Sequence, residues 1–181
     1  MQSGIPAIHV LPVQAADGSR LKERMIREGR YIDWEEPGRT NPHGINELNT
    51  LTLIPRQMTL RQLTQGTQWL LWQLYKPENF VERYRYFLEC FERSPKRDRL
   101  VIPKVAPDRE GVGIVGRVIK YLLTRATKTE RWAFRQMFKY TRRSSHPQRL
   151  GFLVENFLTL KNTHMILNKV CPGIERVTYP V

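Results

Sequence analysis

The sequence has few cysteines, no long apolar run and, in its second half, few acidic residues. Its two cysteines, Cys90 and Cys171, lie far apart in 181 residues. This spacing neither pairs them nor predicts a metal site. No apolar run approaches the roughly 20 residues that cross a bilayer, and the first residues lack the basic start of a secretory signal. These absences favour one domain with a reducing, cytoplasmic location.

The shortage of acidic residues is confined to one half of the chain. Residues 1–92 hold 11 Lys and Arg and 11 Asp and Glu, whereas residues 93–181 hold 19 and 6. The second half therefore carries the whole net charge of +13. This asymmetry predicts either an anionic partner or a solvated basic face without a specific partner.

Aromatic residues are interleaved with the basic residues of the second half. The pattern suits helices on an anionic bilayer, and it also suits phosphate neutralisation with base stacking. Because the aromatics largely follow helical core spacing, we rank a solvated face first, a membrane surface second and nucleic acid third. The predicted basic surface consists of Arg117, Lys120, Arg125, Lys128, Arg131, Arg135, Lys139, Arg142 and Arg143.

Apolar spacing predicts a mainly helical fold. A first helix runs from about Ser19 to Glu28 and stops at Gly29. Thr59 with Gln62 forms a capping-box signal for a second helix, and Pro77 suits the start of a third. These two helices predict a hairpin over residues 56–93. Three more apolar stripes predict helices that contain Val115, Val118, Ile119 and Leu122, then Trp132, Phe134, Met137 and Phe138, and then Leu150, Leu153, Val154, Phe157, Leu158, His164 and Met165.

One to three short strands are predicted near the front. Residues 5–11, IPAIHVL, have the composition of a buried strand, and residues 30–34 and 49–55 are weaker candidates. A lone strand cannot satisfy its backbone groups, so residues 5–11 need neighbours. Residues 30–34, residues 49–55 or a second copy of the chain could supply that pairing.

No motif predicts a self-contained catalytic or metal site. EGVGIVG at 110–116 is formally GxGxxG, but PKVAPDRE before it is a poor strand, and no βαβ unit surrounds it. A helix start with small residues for close packing explains it better. The four histidines lack partners at metal-ligand spacing: His9, His43, His146 and His164. We therefore predict no catalytic residue and no metal ligand, with His164 as a core histidine.

Much of the chain resembles the C-terminal part of cobalamin-dependent radical S-adenosylmethionine enzymes, some of which modify membrane lipids such as hopanoids. The resemblance rests on IHVLP, RLKERMIREGR, WAFRQMFKYTRRSSHPQRL and LTLKNTHM, and most strongly on residues 54–91 with LYKPENF. The residues that match the family's motifs are Pro12, Glu28, Gly29, Arg30, Pro55, Gly66, Trp69, Tyr75, Pro77, Glu78, Asn79, Phe80 and Arg83. The family's PGT-like turn is replaced by AADGS, which places Asp17, Gly18 and Ser19 at the cofactor-side loop.

The resemblance implies a helical bundle-like domain preceded by strands left over from a partial (β/α) barrel. Its parts are a barrel remnant with a loop at 1–55, the hairpin at 56–93, a linker at 94–111 and a basic helical part at 112–181. It implies a barrel-closing, substrate-side module that is inactive alone, as a split partner, a truncated product or a free protein. The alternative is an independent basic module for an anionic surface.

The family's cofactors are not expected on this chain alone. S-adenosylmethionine, a 4Fe–4S cluster and cobalamin belong to the complete enzyme, and the chain lacks CxxxCxxC. Two cysteines cannot supply three thiolate ligands to such a cluster. The resemblance implies a partner that carries the missing parts, in the cytoplasm or at the inner face of the membrane, and the unpaired first strand also permits a homodimer.

Overall fold

The computed structural model describes residues 5–8, 10, 13–33, 51–95, 109–146 and 148–170. These residues form a mainly α structure, as the apolar spacing predicted. Its six helices are α1 (Arg20–Arg27), α2 (Leu60–Tyr75), α3 (Pro77–Arg93), α4 (Arg109–Thr124), α5 (Lys128–Arg143) and α6 (Arg149–Val170). Four residues discussed above lie outside the described residues: His9, Pro12, His43 and Cys171.

The helix boundaries follow the local signals in the sequence. The Ser19 side chain caps α1, and Gly29 ends it with a φ of 64°. Before α2, the Gln62 N–H donates to Thr59 Oγ1 over 3.1 Å, and the Thr59 N–H donates to Gln62 Oε1 over 2.8 Å. Pro77 lies at the first position of α3, where a missing N–H costs nothing.

The predicted strand over residues 5–11 is absent among its described residues. Residues 5–8 and 10 have no strand assignment. The backbone of Ile8 bonds instead to the Tyr75 hydroxyl, which donates to Ile8 O over 3.0 Å and accepts from Ile8 N over 3.2 Å. A side chain thus supplies the partners that a neighbouring strand would have given.

The two weaker strand candidates meet at an isolated bridge and not in a sheet. Tyr31 pairs antiparallel with Leu53. Ile32 N donates to Thr52 O, and Ile54 N donates to Arg30 O, both over 2.9 Å. The two segments therefore pair with each other, whereas the sequence suggested them as partners for residues 5–11, and the described residues contain no strand.

The described chain forms two compact units. One holds residues 5–8 and 73–170, and the other holds residues 10–72, so the division falls in the last turn of α2. The smaller unit contains α1, the bridge and most of α2. The larger unit, here called the helical unit, contains α3 to α6. The predicted four-part division and the predicted hairpin stay predictions.

The core of the helical unit lies where α5 packs against α3 and α6, and α4 packs on α6. Its fully buried large side chains come from all of these helices except α4 and from the end of α2: Tyr75, Phe80, Tyr84, Met137, Thr141, Leu153, Phe157, Leu160 and Leu167. One hydrogen bond crosses this core, between Tyr84 Oη and Thr141 Oγ1 over 2.7 Å. Thr141 Oγ1 donates its only hydrogen to Met137 O, so the Tyr84 hydroxyl is the donor in the crossing bond.

Three predicted apolar stripes are only partly buried. On α5, Met137 is buried, but Trp132 and Phe138 are exposed. On α4, Val118 is buried, but Val115 and Ile119 are exposed. On α6, Leu150 and Met165 are exposed at 58% and 59% at either end of a buried centre. Gly113 and Gly116 of α4 do not serve close packing either, because a Cβ at Gly116 would meet nothing within 4 Å and one at Gly113 would meet the Arg117 guanidinium at 3.8 Å.

Candidate functional site: a basic surface on the helical unit

Helix α5 gathers four of the predicted basic residues on one side. Arg135, Lys139, Arg142 and Arg143 are spaced by four, three and one, so they lie on adjacent turns. Together with Phe138 they line a shallow cleft of about 350 Å³. We call these four residues the α5 basic cluster.

The α5 basic cluster forms no ion pair among the described residues, although Arg143 shares a neighbouring pocket with Glu89 and Glu92. None of its four residues forms a hydrogen bond or ion pair in the part of the chain that the structure describes. In α3, by contrast, Arg85 pairs with Glu82 and Glu89. Four unpaired cations around one aromatic ring give α5 a concentrated positive potential that attracts anions.

The other predicted basic residues are not part of this cluster. Lys120, Arg125 and Lys128 are exposed on α4, just after it and at the start of α5. Arg131 is half-buried, and its Nε has no hydrogen-bond partner. Arg117 lines a separate pocket between α4 and α6. The structure thus divides the predicted basic surface into a cluster, a pocket residue and scattered cations.

The EGR and IP motifs of the resemblance contact each other in the smaller unit. Glu28 Oε2 accepts from Arg30 Nη1 over 2.8 Å and lies 3.1 Å from Arg56 Nη2. The hydrogen bond from Arg30, aided by Arg56, holds the pKa of Glu28 below its ordinary value. Arg30 Nε also donates to Ile54 O over 2.9 Å, next to Pro55. These motif residues therefore stabilise the local backbone around the Tyr31–Leu53 bridge.

The LYKPENF motif spans the end of α2 and the start of α3. Asn79 Nδ2 donates to Gln73 O over 2.7 Å, which satisfies a carbonyl at the end of α2. His164 Nε2 bonds the Tyr75 carbonyl, so this nitrogen carries the proton. Phe80 is fully buried, with its ring centroid 5.6 Å from that of Tyr75. His164 is thus a hydrogen-bonded histidine of the helical unit, but it is half-buried and not a core residue as predicted.

Arg83 stacks on the same two aromatic rings. Its guanidinium carbon lies 5.5 Å from the Phe80 centroid and 5.9 Å from the Tyr75 centroid. Its Nη2 donates to Pro6 O over 3.4 Å, while its buried Nε has no partner. Burial lowers the pKa of Arg83. The charge is held by rings and a carbonyl, as Arg stacking allows.

The remaining motif residues lie in helices or in the turn before α1. Gly66 and Trp69 lie in α2, and Glu78 lies in the first turn of α3, where its charge suits the helix dipole. The predicted cofactor-side loop, Asp17 to Ser19, forms the turn that caps α1. The hydrogen bond from Lys22 lowers the pKa of Asp17.

The end of α3 is connected to the segment that follows α5, residues 144–146, here called the α5–α6 corner. The sequence did not predict this connection. Glu92 accepts from Ser144 Oγ over 2.9 Å, from Ser145 N over 2.6 Å and from Ser145 Oγ over 2.8 Å. The His146 ring packs against the Phe91 ring at a tilt of 52°, with a centroid distance of 4.6 Å, and burial lowers the pKa of His146. The partners are more than 50 residues apart, so no local pattern could have indicated them.

The described residues hold no cluster suited to a metal. No group of three His, Cys, Asp or Glu side chains among them could ligate an ion. Cys90 is a free, exposed thiol on α3. No helix in the described ranges is both long and apolar enough to cross a membrane.

The class that fold and surface define is a helical domain with a basic face and no metal cluster among its described residues. Residues 19–175 match the family described as Domain of unknown function (DUF4070), and the chain belongs to that family. Comparison with curated proteins gives no match, and comparison with solved structures gives none either.

Proposed function

We propose that this chain is the C-terminal, barrel-closing and substrate-side module of a cobalamin-type radical S-adenosylmethionine enzyme, and that it does not catalyse a reaction alone. The observation that carries the proposal is the long run of matching motifs, strongest over residues 54–91. In this proposal a partner segment, on another polypeptide or outside residues 1–181, provides the cluster, S-adenosylmethionine and cobalamin. Residues 5–11 and the bridge segments are remnants of the barrel edge.

The positions of the motif residues support a structural module. Glu28 and Arg30 stabilise the contact with the IP segment. Tyr75 donates to the Ile8 carbonyl, and Asn79 donates to the Gln73 carbonyl at the end of α2. A motif residue that binds a cofactor would present an unused polar group to a cavity. The polar groups of these four residues are instead engaged by the chain's own backbone and side chains.

The chain's own residues do not fit an iron–sulfur cluster. Cluster ligation of this class needs three cysteine thiolates, and the sequence has two cysteines. Cys90 is exposed on the side of α3 and has no cysteine or histidine cluster around it among the described residues. No step of the chemistry is therefore assigned to residues of this chain.

Co-purification with a cluster-bearing partner tests the proposal. The chain is co-expressed with a neighbouring reading frame that carries CxxxCxxC, and the mixture is resolved by gel filtration. We expect a stoichiometric complex. A parallel preparation in which the partner's three cysteines are replaced by serine controls for cluster-dependent folding. A partner that never migrates with this chain contradicts the split-enzyme form of the proposal.

A second candidate function rests on the α5 basic cluster. Its four unpaired cations support docking on an anionic surface, with a membrane ranked before nucleic acid. Each Lys or Arg near an anionic bilayer contributes about 1 kcal/mol. The protein would then be cytoplasmic and peripheral at the inner face of the membrane.

Vesicle flotation tests this candidate with a matched control. We expect the chain to float with phosphatidylglycerol vesicles and not with phosphatidylcholine vesicles, and R142Q/R143Q to reduce flotation more than R20Q/R27Q. Both double variants remove two positive charges, so the comparison tests location. Equal flotation of the two variants would contradict a dock at α5. Salt-sensitive binding of a duplex without flotation would assign the cluster to nucleic acid.

A further inference from the structure

Helices α4 and α6 enclose a pocket of about 300 Å³ on the helical unit. Val118 and the fully buried Phe157 form part of its apolar lining. Ile114 and Leu158 extend that lining along the two helices. The volume lies at the lower end of the range for small-molecule sites, which are mostly apolar with a few placed polar groups.

Two cations from different helices line the same pocket. Arg117 of α4 and Lys161 of α6 have no hydrogen bond or ion pair among the described residues. The Arg117 guanidinium lies back along α4, because its Nη1 is 3.8 Å from the position of a Cβ at residue 113. Lys161 Nζ lies 4.5 Å from the centre of the Tyr121 ring. Both positive groups are therefore available to a ligand.

The Tyr121 ring, which also lines this pocket, is held in place. Its hydroxyl donates to Glu130 Oε1 over 2.7 Å, and burial together with this bond raises the pKa of Tyr121 to about 12. Glu130 is held in turn by the start of α5, where Thr127 N donates to Glu130 Oε2 over 2.7 Å. The aromatic lining is thus already ordered before a ligand enters, which reduces the entropy lost on binding.

We propose that the α4–α6 pocket binds an amphipathic anion: an apolar chain or ring lies against Val118 and Phe157, and its carboxylate or phosphate is bound by the Arg117 and Lys161 side chains that line the pocket. Burying the apolar part removes it from water. The anionic head forms charge-assisted hydrogen bonds with two cations that lack an acidic partner. A neutral amphiphile gains only the burial of its apolar part, and a small anion gains only the charge-assisted hydrogen bonds.

This inference is independent of the proposed enzyme partnership. The pocket is built from α4 and α6 alone, and its ligand requires neither a cluster nor S-adenosylmethionine. Failure of the partner to co-purify would leave the pocket prediction standing, and the reverse also holds.

Calorimetric titration of the full chain with octanoate and octyl phosphate, below their micelle concentrations, tests the proposal. We expect saturable binding of at least one, no comparable binding of octanol or acetate, and at least about tenfold weaker binding by R117Q/K161Q. The control R20Q/R27Q loses the same charge from exposed residues of α1 and should change the Kd less than about twofold. Equal weakening by both double variants would overturn the assignment.

A second readout locates the ligand without relying on those variants. Bound octyl phosphate should slow amine acylation of Lys161, measured by mass spectrometry, and leave acylation of Lys139 unchanged. Flotation with phosphatidylglycerol vesicles distinguishes the source of the anion. Loss of flotation in R117Q/K161Q alone, without binding of free octyl phosphate, assigns a lipid; binding of free octyl phosphate assigns a soluble amphiphile. No binding to either source, or binding of free octyl phosphate that does not protect Lys161, overturns the proposal.

Discussion

The buried hydroxyl pair of Tyr84 and Thr141 shows how single atoms matter in this core. Thr141→Val removes the only acceptor of the Tyr84 hydroxyl inside the contact between α3 and α5. An orphaned buried donor costs about 1–3 kcal/mol. We expect this loss in the free energy of unfolding, measured by urea denaturation.

The double variant Y84F/T141V separates the unsatisfied donor from the lost hydroxyl. Because it removes donor and acceptor together, it should recover part of the stability that T141V loses. Thr159→Val is the control, because the Thr159 hydroxyl of α6 bonds Glu155 O at an exposed site. The free energy of unfolding of T159V should stay within about 0.5 kcal/mol of that of the unchanged protein. A double variant no more stable than T141V contradicts the assigned donor.

Glu130 predicts a dependence of stability on acid pH. Burial alone would raise its pKa, but hydrogen bonds from Thr127 and Tyr121 outweigh burial and lower it below 4.5. A carboxylate with a lowered folded-state pKa stabilises the fold above its ordinary value, and this contribution is lost as the pH falls through the folded-state pKa. The ionised form should therefore favour folding at neutral pH.

Glu130→Gln tests this dependence because glutamine also serves at the third position of a capping box. At neutral pH we expect E130Q to lose about 1 kcal/mol in the free energy of unfolding relative to the unchanged protein. Its Tm should fall accordingly. The difference should shrink as the pH falls below 4.5. A Tm difference that does not change with pH would show that the lowered pKa has no part in stability.

Roles that depend on neighbouring residues, such as helix caps, could be predicted from the sequence. Roles that depend on contacts between distant residues could not. Ser19, Gly29, Thr59 and Pro77 all act within a few positions of themselves, so propensity rules predicted their roles. The T-x-x-E pattern of Thr127 gives an equally local signal, and it was missed. Lys161 could not be assigned to a pocket, because its neighbours come from another helix.

At the scale of elements, the carboxylate at the end of α3 holds the α5–α6 corner. Three hydrogen bonds from Ser144 and Ser145 converge on Glu92. Glu92→Ala should destabilise the helical unit by about 1.5–3 kcal/mol, the range for hydrogen bonds to a charged group. Hydrogen exchange should become faster at the Ser145 amide, which loses its acceptor.

Glu89→Ala provides the control for this prediction. Glu89 lies three residues before Glu92 on α3. It pairs with the half-exposed Arg85 of the same helix. Such a pair contributes little to stability, so E89A should leave exchange at Ser145 unchanged. Similar exchange in E92A and E89A would contradict the role of Glu92 as the connection.

Helical periodicity predicted the six helices better than it predicted their buried faces. On α6 the stripe identified the buried Leu153 and Phe157, yet it also included the exposed Leu150 and Met165. The spacing of apolar residues shows which face of a helix is apolar. How much of that face is buried depends on the length of the helix that packs against it. The predicted strand at 5–11 failed for a related reason, because strand composition does not guarantee a neighbouring strand.

At the scale of the whole molecule, charge is the property that composition predicted and local structure refined. The +13 charge of the second half indicated an anionic partner or a solvated face. The structure separates four unpaired cations on α5 from the pocket cations Arg117 and Lys161. Salt therefore discriminates two kinds of binding. Flotation through α5 should fall steeply with ionic strength. Binding of an amphiphile in the α4–α6 pocket should fall less, because salt does not screen the contribution from its buried apolar part.

The central claim is that the chain is a module without its own radical chemistry. Anaerobic reconstitution with iron and sulfide, followed by quantification of iron and of 5′-deoxyadenosine formed from S-adenosylmethionine, tests it most directly. A complete radical S-adenosylmethionine enzyme treated identically serves as the positive control. We predict no stoichiometric 4Fe–4S cluster and no 5′-deoxyadenosine from this chain alone. A stoichiometric cluster with cleavage of S-adenosylmethionine would contradict the claim.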